Sequence, residues 1–208
     1  ATQKISSFRM GAKVCNRLAS ESSMIDYARL YRTELLDVFL FSRCLFCLSD
    51  SSGIQLLASL FSRPMVQVNT SVLTTRVDSN IIADDRRDLM IMQKYWDPIR
   101  RRYLTFRDML RYEIYGDEKI YDICAPANTY LIYRRKGIIP VQNTPEEIVT
   151  VSQEMLQRLS GSVEYTEEDI ELRERFLEIR REYEGQGNEF FNFRVGRDFL
   201  RENQWLLD

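Results

Sequence analysis

The sequence predicts an α/β fold in which a Rossmann-like parallel sheet is flanked by helices and followed by a helical C-terminal tail. Three observations lead to this class. A strand–turn–helix–strand unit occupies residues 44–69, other short apolar runs have the length of strands, and helix start signals dominate after residue 142. The 208 residues have room for one full domain and a helical extension.

The unit at residues 44–69 carries the strongest signal. Residues 44–48 form a continuous apolar run, which is typical of a strand buried on both faces. The polar residues 49–53 then precede a segment with apolar side chains at helical spacing, which Pro64 ends. Residues 65–68 are predicted to form a second buried strand. Because a helix between two buried strands makes them parallel, we expect both strands in one parallel sheet.

Three further strands are predicted for the same sheet, near residues 5–10, 89–92 and 138–141. Between them, Thr33 is placed to cap a helix that ends just before Arg43. Its apolar residues on one face are Leu35, Leu36, Phe39 and Leu40. Thr105 is placed to cap a second helix, which runs to about Tyr115. A helix is also suggested at residues 125–130.

The pattern after residue 142 predicts helices throughout. Thr144 and Glu147 form a capping box with Pro145 between them, and Thr166 opens a second helix with an acidic first turn. We therefore divide the chain into a Rossmann-like domain, residues 1–142, and a helical extension, residues 143–208.

The end of the extension is rich in large apolar side chains, which either form an outward patch or pack on the domain's own sheet. They are Phe190, Phe191, Phe193, Phe199, Trp205, Leu206 and Leu207.

Composition excludes several functional classes. The net charge of −2 gives no overall attraction to nucleic acid, so no nucleic-acid partner is expected. The chain contains no histidine, which excludes Ser-His-Asp and Cys-His triads and histidine-ligated metals within it. Cys44 and Cys47 are predicted to be small buried hydrophobes, since residues three apart in a strand face opposite sides.

Polar residues at the predicted carboxyl ends of strands are the candidate ligand-binding residues. In a parallel sheet, ligands bind at this edge. The turn after the strand at 44–48 offers hydroxyls, a carboxylate and a glycine to a phosphate, and the alternative is an ordinary helix-capping turn. Arg9 and Gly11 follow the first predicted strand, where Arg9 either neutralises a diphosphate or forms a surface ion pair. Asn69 ends its strand and either reaches a sugar hydroxyl or serves as a turn residue. The full set is Arg9, Gly11, Ser49, Asp50, Ser51, Ser52, Gly53 and Asn69.

The chain resembles a family of bacterial surface-polysaccharide glycosyltransferases of the GT-B type. Matching stretches occur in order along almost the whole sequence: 8–11, 25–28, 36–40, 47–53, 63–69, 104–109, 143–148 and 194–200. GT-B enzymes have two Rossmann-like domains, and the C-terminal one mainly holds the nucleotide-sugar donor. The resemblance implies that this chain is that C-terminal domain.

The resemblance also implies partners, cofactors and location. The donor is a nucleotide-activated sugar, and the acceptor is a glycan or lipid-linked glycan held mainly by an N-terminal domain outside this chain. This chain alone is then incomplete and inactive, and no catalytic base is assigned within it. GT-B enzymes generally need no metal, so Asp84 and Asp85 are not expected to bind one and no cofactor is expected. The location implied is the cytoplasm, with peripheral association at the inner face of the membrane; no signal peptide or transmembrane run is seen in the sequence.

Two other functions remain open at this stage. One is a nucleotide-sugar epimerase of the same fold, which uses similar phosphate-binding turns. The other is a non-catalytic α/β interaction module whose polar turn only caps a helix. Because Ala1 stands where an initiator methionine would, we expect a longer natural protein, whose remaining sequence would separate these functions.

Overall fold

The structure is a computed structural model with a four-stranded parallel sheet at its centre. It describes residues 5–19, 23–50, 53–71, 74–75, 86–115, 133, 136–183, 189–190 and 192–208. The helices of this part are α1 (Tyr27–Leu30), α2 (Glu34–Arg43), α3 (Gln55–Leu60), α4 (Phe106–Tyr115), α5 (Pro145–Ser160), α6 (Glu167–Glu182), α7 (Arg197–Glu202) and a final 3-10 helix (Gln204–Leu207). The strands are β1 (Cys47–Ser49), β2 (Met65–Thr70), β3 (Thr74–Thr75), β4 (Leu89–Met92), β5 (Lys94–Asp97), β6 (Arg102–Tyr103), β7 (Ile139–Val141), β8 (Glu189–Phe190) and β9 (Arg194–Val195).

The parallel sheet has the strand order β1-β2-β4-β9. Helix α3 connects β1 to β2 and packs on both, and α5 packs on β2 and β4. The predicted α/β class, with a parallel sheet and flanking helices, is thereby confirmed and is compatible with a Rossmann-like fold. The strands predicted at 65–68 and 89–92 are confirmed. These two strands form the middle of the sheet. A strand in this position is covered on both faces, so most of its residues are buried.

The first strand of the unit differs from its prediction. Cys44 follows the last residue of α2 as its C-cap, so the strand begins only at Cys47. Because β1 is the outer strand of this sheet, Leu48 stays 46% exposed, and the prediction of a strand buried on both faces is wrong.

The strand predicted at residues 5–10 does not join the parallel sheet. Phe8 instead forms an isolated parallel bridge with Ile25, in which the Arg9 N–H donates to the Ile25 carbonyl at 2.9 Å. Ile5 and Phe8 remain 49% and 41% exposed. The short, half-polar segment therefore gains too little burial for a place in the core.

A second sheet follows directly from the first. After β4 and Gln93 the chain continues as β5, which pairs antiparallel with β6 and β7. The strand predicted near 138–141 exists as β7, but its place in the parallel sheet was wrong. Strand β5 was missed, because its buried positions are Tyr95 and Asp97 and its partly buried ones are Lys94 and Trp96, so the period-two burial has no matching alternation of apolar and polar residues.

The helix caps agree with the sequence. Thr33 accepts from the Leu36 N–H, and capping boxes open α5 at Thr144 and α6 at Thr166. The face that α2 buries is not the face predicted from its apolar residues. This helix buries Asp37 and Phe41, whereas Leu35 is 79% exposed and Phe39 is 54% exposed. Asp37 is held inside because it accepts from the Tyr27 hydroxyl at 2.9 Å and pairs with Arg32 at 2.9 Å.

The tail contains β9 as well as helices, so the prediction of a wholly helical extension is wrong. Phe193, Phe199, Leu206 and Leu207 are buried and Trp205 is half-buried, while the side chains of Phe190 and Phe191 lie outside the described part. For the described side chains, the tail packs mainly on its own domain. No helix in the described ranges is long and apolar enough to cross a membrane.

Candidate functional site

The carboxyl edge of the parallel sheet gathers polar residues from several elements. Since β1, β2 and β4 run parallel, their last residues reach the same edge, and the residues just before α5 reach it too. This is the edge at which open α/β sheets bind ligands.

The turn between β1 and α3 opens toward solvent at this edge. Ser49 ends β1 and is half-buried, Asp50 is exposed, and Ser51 and Ser52 lie outside the described residues. Gly53 is exposed, and a Cβ added there would meet no described atom within 4 Å beyond its chain neighbours. Helix α3 starts after Ile54, which provides no side-chain cap. The described part of the turn therefore leaves room for a ligand beside Gly53.

Asn69 occupies a special position at the end of β2. Its φ of 52° lies in the left-handed region, which asparagine tolerates better than most residues, and the pairing of β2 with β4 is irregular between Gln67 and Thr70. The Asn69 N–H donates to Asn143 Oδ1, and the Asn143 N–H donates to Asn69 Oδ1, both at 2.6 Å. Asn69 thus lies at an irregular position within β2 and ties this strand to the start of α5. Its side-chain NH₂ donates to no described residue and remains available to a ligand.

Glu147 is the centre of a polar network next to this pair. Its Oε1 accepts from Lys94 Nζ at 2.6 Å, and its Oε2 accepts from the Thr144 N–H at 2.9 Å. The amides of Asn143 and Asn203 donate to the same carboxylate, both at 3.3 Å. Burial alone would raise the pKa of Glu147, but the hydrogen bonds from Lys94 and Thr144 outweigh it and the pKa is lowered. Glu147 is therefore an ionised structural carboxylate and a poor general base.

Two buried oxygen atoms at this edge lack hydrogen-bond partners among the described residues. They are Thr70 Oγ1 and Gln93 Oε1, in residues only 2% and 1% exposed. The amide nitrogen of Gln93 is used, since it donates to the Tyr95 hydroxyl at 2.6 Å, which in turn donates to the Ser71 carbonyl. An unpaired buried polar atom is costly, so each of these enclosed oxygens is suited to accept from a buried water molecule.

Arg9 and Gly11 lie apart from the four-stranded sheet. The Arg9 guanidinium holds both oxygens of Asp26, at 2.6 and 2.7 Å from Nη2, and also donates to the Asn16 carbonyl at 2.7 Å. Gly11 has a φ of 138°, which favours glycine. The structure thus places Arg9 in an ion pair, one of the two alternatives considered for it. The two residues follow the Phe8–Ile25 bridge and not a strand of the sheet.

Sequence reasoning missed Asn143, Lys94 and Asn203 at this edge. The sequence stretch 143–147 predicts a helix start and forms part of the resemblance, but no site role was assigned to Asn143 or to Lys94. Asn143 is visible in the sequence as the residue directly before the capping box, but its place at this edge follows from the packing of α5 on β2 and β4. Lys94 and Asn203 acquire their roles only through tertiary contacts.

We expect Asn143→Ala to lower the free energy of unfolding by about 2–3 kcal/mol, because the Asn69 N–H and the Met92 carbonyl would lose buried partners. Urea unfolding at pH 7 measures the change. Asn16→Ala is the matched control: Asn16 is exposed and contributes only a main-chain oxygen, so its effect should stay within about 0.5 kcal/mol. Equal effects of the two variants would contradict a structural role for the Asn69–Asn143 pair.

The cysteines and acidic residues show no reactive cluster in the described part. Cys15, Cys44 and Cys47 are free thiols, and burial raises the pKa of Cys47 to about 12. Asp84, Asp85 and Cys124 lie outside the described residues. Among the described residues, no group of three or more acidic or cysteine side chains is arranged to hold a metal ion.

Comparisons with known proteins do not assign the chain to a family. No family model, no curated protein and no solved structure matches the chain.

Proposed function

We propose that this chain is the nucleotide-sugar-binding domain of a glycosyltransferase of the GT-B type, which transfers a sugar to a growing surface glycan. The observation that carries the proposal is the position of the turn at 49–53. Its described residues, Ser49, Asp50 and Gly53, lie between β1 and α3 at the carboxyl edge of the parallel sheet, which is the edge where open α/β sheets bind ligands, and a Cβ added to Gly53 meets no described atom within 4 Å beyond the chain neighbours.

The chemistry of this edge supports a hydroxyl-rich, anionic ligand. The side-chain amide of Asn69, whose NH₂ donates to no described residue, offers a donor to a ligand hydroxyl at this edge. The main-chain N–H groups of a turn are suited to phosphate oxygens. In this proposal Ser49, Ser51, Ser52 and Gly53 contact the diphosphate, Asp50 binds a sugar hydroxyl, and Asn69 binds a sugar or ribose hydroxyl.

The proposal assigns the acceptor and the catalytic base to a second domain. Glu147, the most central carboxylate at this edge, is already held by Lys94 and Thr144 and is unsuited to accept a proton. The proposed location is the cytoplasmic face of the bacterial membrane, and no metal is required, since donor groups of the protein stabilise the leaving diphosphate.

We expect Gly53→Val to weaken binding of a nucleoside diphosphate at least tenfold without changing the melting temperature. An added Cβ meets no described atom within 4 Å beyond the chain neighbours, and the valine side chain fills space that a phosphate would occupy in this proposal. Calorimetry with the diphosphates of uridine, guanosine, cytidine and adenosine measures binding, and thermal unfolding checks the fold. Ala12→Val, at an exposed position outside the helices and strands, is the matched control.

The same titrations separate the proposal from its alternatives. If no nucleotide binds the full-length protein and Gly53→Val leaves its activity unchanged, the donor site is wrong and an interaction module is favoured. If nucleotide sugars bind but the full-length protein converts them to epimers without an acceptor, the epimerase is favoured.

A further inference from the structure

A cavity of about 540 Å³ lies in the N-terminal part of the chain, away from the carboxyl edge of the parallel sheet. It lies between the segment that follows Gly11 and helix α1, and its wall includes Arg17, Asp26 and Arg29. Cavities of this size are typical of small-molecule sites.

The polar part of this wall carries an excess of positive charge. Within the described part of the chain, the guanidinium groups of Arg17 and Arg29 take part in no ion pair and no hydrogen bond. The carboxylate in the wall, Asp26, is held by Arg9 through Nε at 3.0 Å and through Nη2 at 2.6 and 2.7 Å. Asp26 therefore does not neutralise the other two arginines, and two guanidinium groups from separate segments remain to bind an anion.

The remaining wall is apolar and open to solvent. Met24 is 40% exposed, Leu30 is 62% exposed and Tyr31 is 60% exposed, although each lines the cavity. Exposed apolar side chains around a concave surface are typical of a ligand-binding groove, and an exposed tyrosine ring offers a surface on which a flat or aliphatic group can pack.

We propose that this cavity binds an organic phosphate, with the phosphate on Arg17 and Arg29 and an apolar or aromatic moiety on Leu30 and Tyr31. Two guanidinium groups can balance the double negative charge of a phosphate monoester and donate to several of its oxygens. A carboxylate ligand offers them only one charge and two oxygens. The ligand chemistry is shared by a free nucleotide and by a lipid phosphate. The site is separate from the turn at 49–53 and does not depend on the proposed glycosyltransferase function.

The test compares four ligands by calorimetry against the full chain carrying Gly53→Val, in which the proposed donor site is blocked. Octyl phosphate represents a lipid phosphate, uridine monophosphate a nucleotide, octanoate a single charge on a similar tail, and inorganic phosphate the anion alone. We expect at least one of the two organic phosphates to bind tenfold or more tightly than inorganic phosphate, and octyl phosphate to bind more tightly than octanoate. Tighter binding of octyl phosphate than of uridine monophosphate would indicate a lipid phosphate as the natural ligand, and the reverse order would indicate a nucleotide.

Substitutions then assign the binding to the cavity. Arg17→Gln with Arg29→Gln should weaken the organic phosphate at least tenfold. Arg43→Gln should leave it unchanged, because Arg43 is also an exposed arginine in the last turn of a helix but does not line the cavity. All three arginines are exposed, so folding should be preserved, and thermal unfolding checks it. The proposal is overturned if neither organic phosphate binds below 1 mM, or if the double variant binds as tightly as the parent.

Discussion

Replacing Phe41 with alanine is expected to lower the free energy of unfolding by about 3–5 kcal/mol, because its ring is 4% exposed and belongs to the core cluster. Replacing Phe39 with alanine should change it by less than about 0.5 kcal/mol, since that ring is 54% exposed. The two residues have the same type, lie in the same helix and differ only in the face they occupy. Urea unfolding at pH 7 measures both.

This pair tests the orientation of α2 directly. The periodic apolar residues of the sequence predicted that Leu35 and Phe39 share a face with the other large side chains, whereas the structure turns that face outward. If Phe39→Ala costs as much as Phe41→Ala, α2 lies in another orientation and Asp37 is not inside.

Lys94→Met is expected to cost about 3 kcal/mol at pH 7, because it leaves the Glu147 carboxylate ionised and without its cation. The side chains of Lys94 and Glu147 are 13% and 5% exposed, so solvent can compensate little. Adding Glu147→Gln to Lys94→Met should recover part of the loss, since the unpaired charge is then removed. No recovery in the double variant would argue against a coupled pair.

The loss of unfolding free energy caused by Lys94→Met should also depend on pH, and it should become smaller as the pH falls. The pKa of Glu147 is lowered in the folded protein, so its stabilising contribution is fully present above the ordinary glutamate value of 4.5. This contribution is lost as the pH falls through the lowered pKa. Urea unfolding repeated at acidic pH should therefore show a smaller difference between the parent and Lys94→Met than at pH 7. A difference that stays constant with pH would contradict the lowered pKa.

Local signals in the sequence predicted local structure well. Thr33, Thr144 and Thr166 cap the helices as predicted, because a cap depends on a hydroxyl and a main-chain N–H only two or three residues away. The strand runs at 65–68 and 89–92 were also found, because a strand in the middle of a parallel sheet needs apolar residues on both faces. Strand β9 escaped notice, because two residues carry no periodicity.

The face of α2 and the partners of the site residues could not be found in this way. Asp37 is buried because Tyr27 and Arg32 satisfy it, and neither contact leaves a mark on the spacing of apolar residues. The position of Asn69 at a strand end was predicted, yet its partner Asn143 comes from a distant part of the chain. The same holds for Lys94 and Glu147, whose roles follow only from the folded arrangement.

The pairing of β9 with β4 has a consequence for biosynthesis. Strand β4 is among the most buried parts of the molecule, yet the strand that covers its second edge is Arg194–Val195, near the end of this sequence. While the ribosome translates the long stretch between them, β4 can pair with β2 but must wait for β9, with main-chain donors and acceptors open to neighbouring chains. We therefore expect a nascent chain to be exposed to aggregation in the interval between translation of β4 and of β9.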